Sequence, residues 1–175
     1  ALGRGDADAR RFAGDQLALS DVLLYDEPAA SHPQAAGVIE RAGMRMRPRV
    51  EHSFWSDEPL RSYVEVYGLG MLDGECEFEV RYSIYPSVPQ DTPVWFDVVS
   101  AAGDLLGFGD EDPVISQSFT RRTTGHRAAE YIAIDIAALQ PGSYELLVEV
   151  MDLNSGQHAA RRTGLFVEPG ASVRR

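Results

Sequence analysis

The amino-acid sequence predicts an all-β fold, a sandwich of antiparallel strands with about eight or nine strands and little helix. Segments in which apolar and polar residues alternate recur along most of the chain, and turn-forming residues separate them about every 8 to 12 residues. No window of about 11 to 18 residues has the apolar spacing of an amphipathic helix. The 175 residues are 44% hydrophobic and 25% charged. One domain of this size can bury a core without a metal or a disulfide.

The first half of the chain contains four predicted strands. Residues 1–15 are small, charged and glycine-rich, so we interpret them as a flexible tail or linker. Residues 26–42 carry two prolines and are predicted to form a long connection, in which Ala35 to Ala42 is the best helical candidate. The predicted strands are Gln16 to Tyr25, Met44 to Arg47 (ending at Pro48), Leu60 to Leu69, and Glu75 to Tyr85.

The segment from Glu75 to Tyr85 has the clearest alternation in the chain. One parity is apolar and the other is polar, as in an antiparallel strand with one buried and one wet face. The apolar set is Cys76, Phe78, Val80, Tyr82 and Ile84; the polar set is Glu75, Glu77, Glu79, Arg81 and Ser83. Cys76 is therefore expected to be a core residue, not a nucleophile.

The second half of the chain continues the same pattern. Residues 101–113 hold three glycines and several acids and are predicted to be a loop. The predicted domain spans residues 16–168, followed by a short tail at 169–175. The predicted strands lie near Val94 to Val99, Ile115 to Thr120, Tyr131 to Ile136, Tyr144 to Val150 and His158 to Val167.

Composition excludes several function classes. All 16 basic residues are arginine, so Schiff-base chemistry and a P-loop lysine are ruled out. The net charge of −11 argues against nucleic acid as a partner. No apolar stretch reaches the length of a membrane span. The start, which has neither Met nor a signal-peptide pattern, suggests a piece of a longer protein.

The sequence from Leu139 to Tyr144 is the most specific local pattern. Pro141 and Gly142 can form a tight corner between two sheets, and the Tyr144 hydroxyl can bond back to upstream backbone. This is the tyrosine corner of immunoglobulin-like sandwiches. The run from Leu139 to Val167 resembles the last hairpin of a fibronectin-type or bacterial immunoglobulin-like domain, which makes an immunoglobulin-like sandwich the expected fold.

A second resemblance touches most of residues 16–168. Several segments occur in the order seen downstream of the GWxTD motif in GWxTD-domain proteins, which are bacterial, mostly uncharacterised and often exported. These segments are Leu17–Leu24, Met44–Pro48, Phe54 and Tyr63–Leu69. The corner at Leu139–Tyr144 and the turn from Asp152 to Arg161 extend the similarity toward the C-terminal end. The resemblance is to this β-rich region only, because no glycine precedes Trp55 or Trp95 and the naming motif is absent. It implies an extracytoplasmic (periplasmic or secreted) accessory module and transfers no catalytic residue.

Two acidic stretches could suggest calcium. Four carboxylates in the loop before the 115–120 strand offer the hard oxygen ligands that calcium takes; they are Asp104, Asp110, Glu111 and Asp112. The alternative is a solvated loop. The stretch from Asp152 to Gly156 begins like an EF-hand loop but lacks its glycine and its bidentate glutamate, so it is predicted to be a hairpin turn.

The acidic charge is concentrated in the middle of the chain. Residues 51–112 hold 14 acids and 2 arginines, whereas each flank is close to neutral. Like charges in a row on one strand face repel one another, so we expect the row Glu75, Glu77 and Glu79 to meet the arginine row Arg45, Arg47 and Arg49, either across strands or between subunits. The alternative is two unconnected solvated faces.

These observations predict a non-catalytic module that acts in protein interaction or scaffolding, with a protein partner or a second copy of itself. The binding alternative is a carbohydrate or calcium module, in which Trp55 in its predicted loop would stack on a sugar. The enzyme alternative is a hydrolase with a site assembled from loops. The four histidines are far apart, and no nucleophile elbow or dinucleotide-binding loop is present.

Overall fold

The structure, a computed structural model, describes residues 16–28, 37–87 and 112–170. These residues form eleven strands and no helix, which confirms the all-β prediction with a slightly higher strand count. The strands are β1 (Ala18–Leu19), β2 (Leu23–Asp26), β3 (Ile39–Arg41), β4 (Met44–Pro48), β5 (Ser53–Trp55), β6 (Leu60–Tyr67), β7 (Cys76–Pro86), β8 (Ile115–Thr123), β9 (Arg127–Ile134), β10 (Gly142–Asp152) and β11 (His158–Glu168). No helix in these ranges has the length and apolar character that a membrane crossing requires.

The strands form two mostly antiparallel sheets. The first sheet has the order β1-β6-β2-β4-β3, with β9 on the other side of β6, and β1 and β2 both pair with one edge of β6. The second sheet has the order β5-β11-β10-β7-β8. Only β5 pairs in parallel, with the last residues of β11. The chain changes sheets five times along these strands: between β4 and β5, β5 and β6, β6 and β7, β8 and β9, and β9 and β10.

The core lies between the two sheets and is filled by one parity of each central strand. In β7, the five residues of the predicted apolar set are all buried, from Cys76 to Ile84. They pack in one cluster with inward residues of β6, β9, β10 and β11. Full burial of such a side chain contributes about 1.5–3 kcal/mol, so this cluster is the main source of stability. The outer face of the first sheet holds a second, smaller cluster of Tyr25, Met46 and Tyr63.

Two short strands differ from the sequence prediction. Ile39 to Arg41, predicted within a connection with helical potential, instead forms β3 against β4. Ala42 and Gly43 follow with φ values of 48° and 76°, so a tight turn and not a helix occupies this position. Ser53 to Trp55, predicted as a loop, pairs with Phe166 to Glu168. Both strands have only three residues, too few to show an alternation.

The corner between β9 and β10 confirms the most specific sequence prediction. The Tyr144 hydroxyl donates to the Gln140 carbonyl over 2.8 Å, and Gly142 lies between them at the start of β10. Since β9 belongs to one sheet and β10 to the other, this bond fixes the bend where the chain changes sheets.

Arg49 links the two sheets at one end of the sandwich. Its guanidinium contacts the Asp26 carboxylate of the first sheet over 2.5 Å and the Glu58 carboxylate, which follows β5, over 2.7 Å. It also bonds to the Ser53 carbonyl and lies 4.2 Å from the centroid of the Phe54 ring. A single side chain therefore joins the end of β2 to β5.

Candidate interaction surface

Three turns meet at the end of the sandwich opposite Arg49. They are residues 68–75 between β6 and β7, residues 124–126 between β8 and β9, and residues 153–157 between β10 and β11. We call these three turns the loop platform. The strand register places them together, because Cys76 pairs with Thr123 in one sheet and Tyr67 pairs with Arg127 in the other.

The first turn has a fixed backbone shape. Leu72 and Glu75 exchange both backbone hydrogen bonds, over 2.9 and 3.0 Å. The two residues between them, Asp73 and Gly74, have φ values of 53° and 86°, as a type I′ turn requires at both central positions. At Gly68, with φ of 73°, a Cβ would lie 2.2 Å from the Gln16 carbonyl oxygen, so no other residue fits there.

Asp152 at the end of β10 holds two of the turns together. Its carboxylate is buried and accepts four hydrogen bonds: from the Gly70 amide over 2.6 Å, from the Ser155 hydroxyl over 2.6 Å, and from the Asn154 and Ser155 amides over 3.0 and 3.3 Å. Burial by itself would raise the pKa of this carboxyl. The four donors outweigh that effect, and the pKa of Asp152 is lowered.

Two further side chains complete the platform. The Asn154 amide group donates to the carbonyls of Gly70 and Glu75 over 2.9 and 3.0 Å. The turn of residues 124–126 is attached to the first turn through Leu69. The Leu69 amide donates to the His126 carbonyl over 3.1 Å, and the Leu69 carbonyl lies 2.7 Å from the His126 Nδ1 atom. All three turns are thus held in place by hydrogen bonds from polar groups.

The platform exposes large apolar side chains on this fixed backbone. Met71 is 42% exposed, Leu72 is 62% exposed, and Leu153 is 43% exposed. The Leu153 amide bonds to the Glu77 carbonyl over 2.9 Å, next to the strand that follows the first turn. Exposed apolar residues that stand singly on a surface are ordinary. Three of them on adjacent turns held by a buried carboxylate form a candidate interaction surface.

The structure gives the two predicted charge rows other partners within the chain. Glu77 pairs with Arg122 of β8 over 3.0 Å, and Glu79 accepts from the Ser118 hydroxyl over 2.7 Å. In the other sheet, Arg47 pairs with Asp26 over 3.1 Å. Arg49 contacts the same carboxylate. The prediction that the two rows meet within one chain is therefore wrong, because the rows lie in different sheets and each has a nearer opposite charge. A contact between subunits remains a prediction.

The remaining members of these rows also lie apart. Glu75 is exposed and closes the first turn of the platform, whereas Arg45 lies opposite Glu40 in the β3–β4 pairing.

Trp55 is half-buried in β5, and its backbone amide donates to the Glu58 carboxylate over 2.8 Å. A strand, not a loop, therefore carries the proposed sugar-stacking residue.

Three of the four proposed calcium ligands lie outside the residues that the structure describes. Asp104, Asp110 and Glu111 fall outside the described residues, and Asp112 is exposed before β8. Among residues 16–28, 37–87 and 112–170, no group of three His, Cys, Asp or Glu side chains is arranged to hold a metal ion. The stretch from Asp152 to Gly156 is a hairpin turn, as predicted.

Cys76 is buried. Burial is the larger cause that raises the pKa of its thiol, and the negative charge of Asp152 raises it further.

A buried carboxylate on the outer face of the first sheet has a structural role. Glu65 accepts from the Tyr63 hydroxyl over 2.8 Å, from the Tyr67 hydroxyl, and from Arg127 of β9 over 2.5 Å. Burial is the largest cause that raises the pKa of Tyr63, and the hydrogen bond and negative charge of Glu65 add to it, so that this pKa reaches about 12. The donors lower the pKa of Glu65 despite its burial. These contacts fasten β9 to β6.

Sequence reasoning missed the platform. The Asp73-Gly74 pair is a recognisable hairpin turn, but nothing in the alternation shows that Met71 and Leu72 face solvent. Comparison of the chain with protein-family models and with curated proteins found no match.

Proposed function

We propose that this β-sandwich is a non-catalytic interaction module of a larger, exported bacterial protein, and that it binds a protein partner through the loop platform. The observation that carries the proposal is the exposure of Met71, Leu72 and Leu153 on turns fixed by Asp152. A surface that is rigid before binding loses less conformational entropy when a partner docks, so more of the contact energy appears as affinity.

The test uses site-specific photo-crosslinking. The photoreactive residue p-benzoylphenylalanine replaces Leu72 in one variant and Val50 in the other. Val50 is 93% exposed and lies just before β5, at the opposite end of the sandwich. Each variant is irradiated in an extract of the source cells. We expect a discrete adduct from position 72 and none of the same mass from position 50.

Competition ties any adduct to the platform. Excess unlabelled wild-type chain should abolish the adduct, whereas a chain carrying Met71→Ser, Leu72→Ser and Leu153→Ser should compete at least ten-fold less well. Equal labelling from both positions, or equal competition by both chains, would refute the proposed function.

A further inference from the structure

Resting on the proposed function, we infer that the loop platform takes a partner segment that combines apolar side chains with arginine or lysine. The apolar component follows from Met71, Leu72 and Leu153, which are exposed at the connections of the sandwich instead of being covered by it. Exposed Met and Leu side chains adapt to an apolar partner, and Met in particular is common at such surfaces.

The basic component follows from the charge of the same turns. Residues 68–75, 124–126 and 153–157 contain two carboxylates, Asp73 and Glu75, and no arginine. On the strands that adjoin the turns, Arg122 pairs with Glu77 over 3.0 Å and Arg127 pairs with Glu65 over 2.5 Å. The Arg122 charge also acts on Glu75, so Glu75 and Glu77 share one cation. The turns that carry the apolar side chains therefore keep a net negative charge, which an arginine or lysine of the partner would complement.

The same charges disfavour two other occupants. An anionic lipid surface carries a negative potential that repels Asp73 and Glu75. A nucleic acid requires cations facing its phosphates, and the three turns supply none. A segment of polypeptide is the occupant that fits both the apolar side chains and the negative charge.

Three synthetic peptide pools of equal length test this inference. The first combines leucine and phenylalanine with arginine, the second combines the same apolar residues with glutamate, and the third combines serine with arginine. Each pool is titrated into the full 15N-labelled chain while amide chemical shifts are recorded. We expect only the first pool to shift the amides of residues 68–75 and 153–157, with weaker binding at higher salt.

Two variants separate the two components. Leu72→Ser with Leu153→Ser should weaken binding at least ten-fold, whereas Asp73→Asn with Glu75→Gln should weaken it by about two- to five-fold and reduce the salt dependence. Val50→Ser is the matched control and should bind like wild type. Retained spectral dispersion shows that each variant is folded.

The failures are distinguishable. If the glutamate pool binds the platform as well as the arginine pool, the charge inference is overturned while the proposed function stands. If dilution of the chain alone shifts the platform amides, the occupant is a second copy and the inference is overturned. If no pool shifts these amides, the inference is overturned; the crosslinking result then decides whether the proposed function fails with it.

Discussion

Replacement of Asp152 by asparagine should destabilise the protein far more than a typical surface substitution. The carboxylate accepts four hydrogen bonds while fully buried, and two donors point at each oxygen. An asparagine side chain offers one acceptor oxygen and turns an NH2 group toward two of those donors. A hydrogen bond to a charged group contributes about 1.5–3 kcal/mol, and a buried donor left unpaired costs about 1–3 kcal/mol. Because such terms are not additive, we expect a loss of about 2–4 kcal/mol, or about 4–16 °C in Tm for a chain of this length.

The pH dependence gives this prediction a second readout. Because the pKa of Asp152 is lowered in the folded state, its contribution is complete above the pKa of the unfolded chain, about 3.9. It is lost as the pH falls through the folded value. Urea unfolding at pH 7, 5 and 3 should therefore show the gap between wild type and Asp152→Asn narrowing below pH 4.

Asp135→Asn is the matched control for this experiment. Asp135 is exposed and accepts one amide hydrogen bond, from Ala137 over 2.9 Å, which an asparagine oxygen can also accept. Its effect should stay within about 0.5 kcal/mol. Equal midpoints for wild type and Asp152→Asn at pH 7, or a gap that is constant from pH 7 to pH 3, would refute the argument.

Four further substitutions, of which Arg47→Met is a control, test other contacts of the sandwich by the same unfolding assay. Arg49→Met should lower the free energy of unfolding by about 2–4 kcal/mol, because it leaves two partly buried carboxylates without their shared cation. The Arg47 side chain is 55% exposed, so Arg47→Met should lower it by less than about 1 kcal/mol. Similar losses for the two variants would contradict this reasoning. Tyr144→Phe should cost about 1 kcal/mol through loss of the corner bond, and an unchanged midpoint would show that the corner contributes nothing. Burial, only partly offset by an arginine, raises the pKa of Glu130, so wild type should gain stability relative to Glu130→Gln as the pH falls from 7 to 4; a gain as the pH rises would reverse the assignment.

The fold was largely predictable because burial repeats with period two. In β7 the alternation assigned the inward face correctly from Cys76 to Ile84, and the proline, glycine and tyrosine of the corner predicted the Tyr144 bond. What escaped prediction depends on distant neighbours. Parity shows which side chains share a face but not which strand lies beside them, so the acidic row was matched with arginines of the wrong sheet.

The candidate site was less predictable for the same reason. The turn at Asp152 was recognised from its residue types. Its carboxylate, however, accepts a hydrogen bond from the Gly70 amide, which lies 82 residues earlier in the chain. A short run such as Ser53 to Trp55 becomes a strand only because Phe166 to Glu168 lies alongside it. Neither contact can be predicted from the residues that neighbour it in the sequence.

The pairing of β5 with β11 has a consequence for biosynthesis. A ribosome makes residues 53–55 more than 110 residues before it makes their strand partners at 166–168. The Leu17 amide likewise waits for the Gln157 side chain, 140 residues later. Until the last described strand has emerged, β5 and one edge of β10 have no partner, and the nascent chain exposes strand edges that can pair with other chains. Folding of this sandwich is therefore completed only after residues 166–168 have been translated, and long-range pairing of this kind is intrinsically slow.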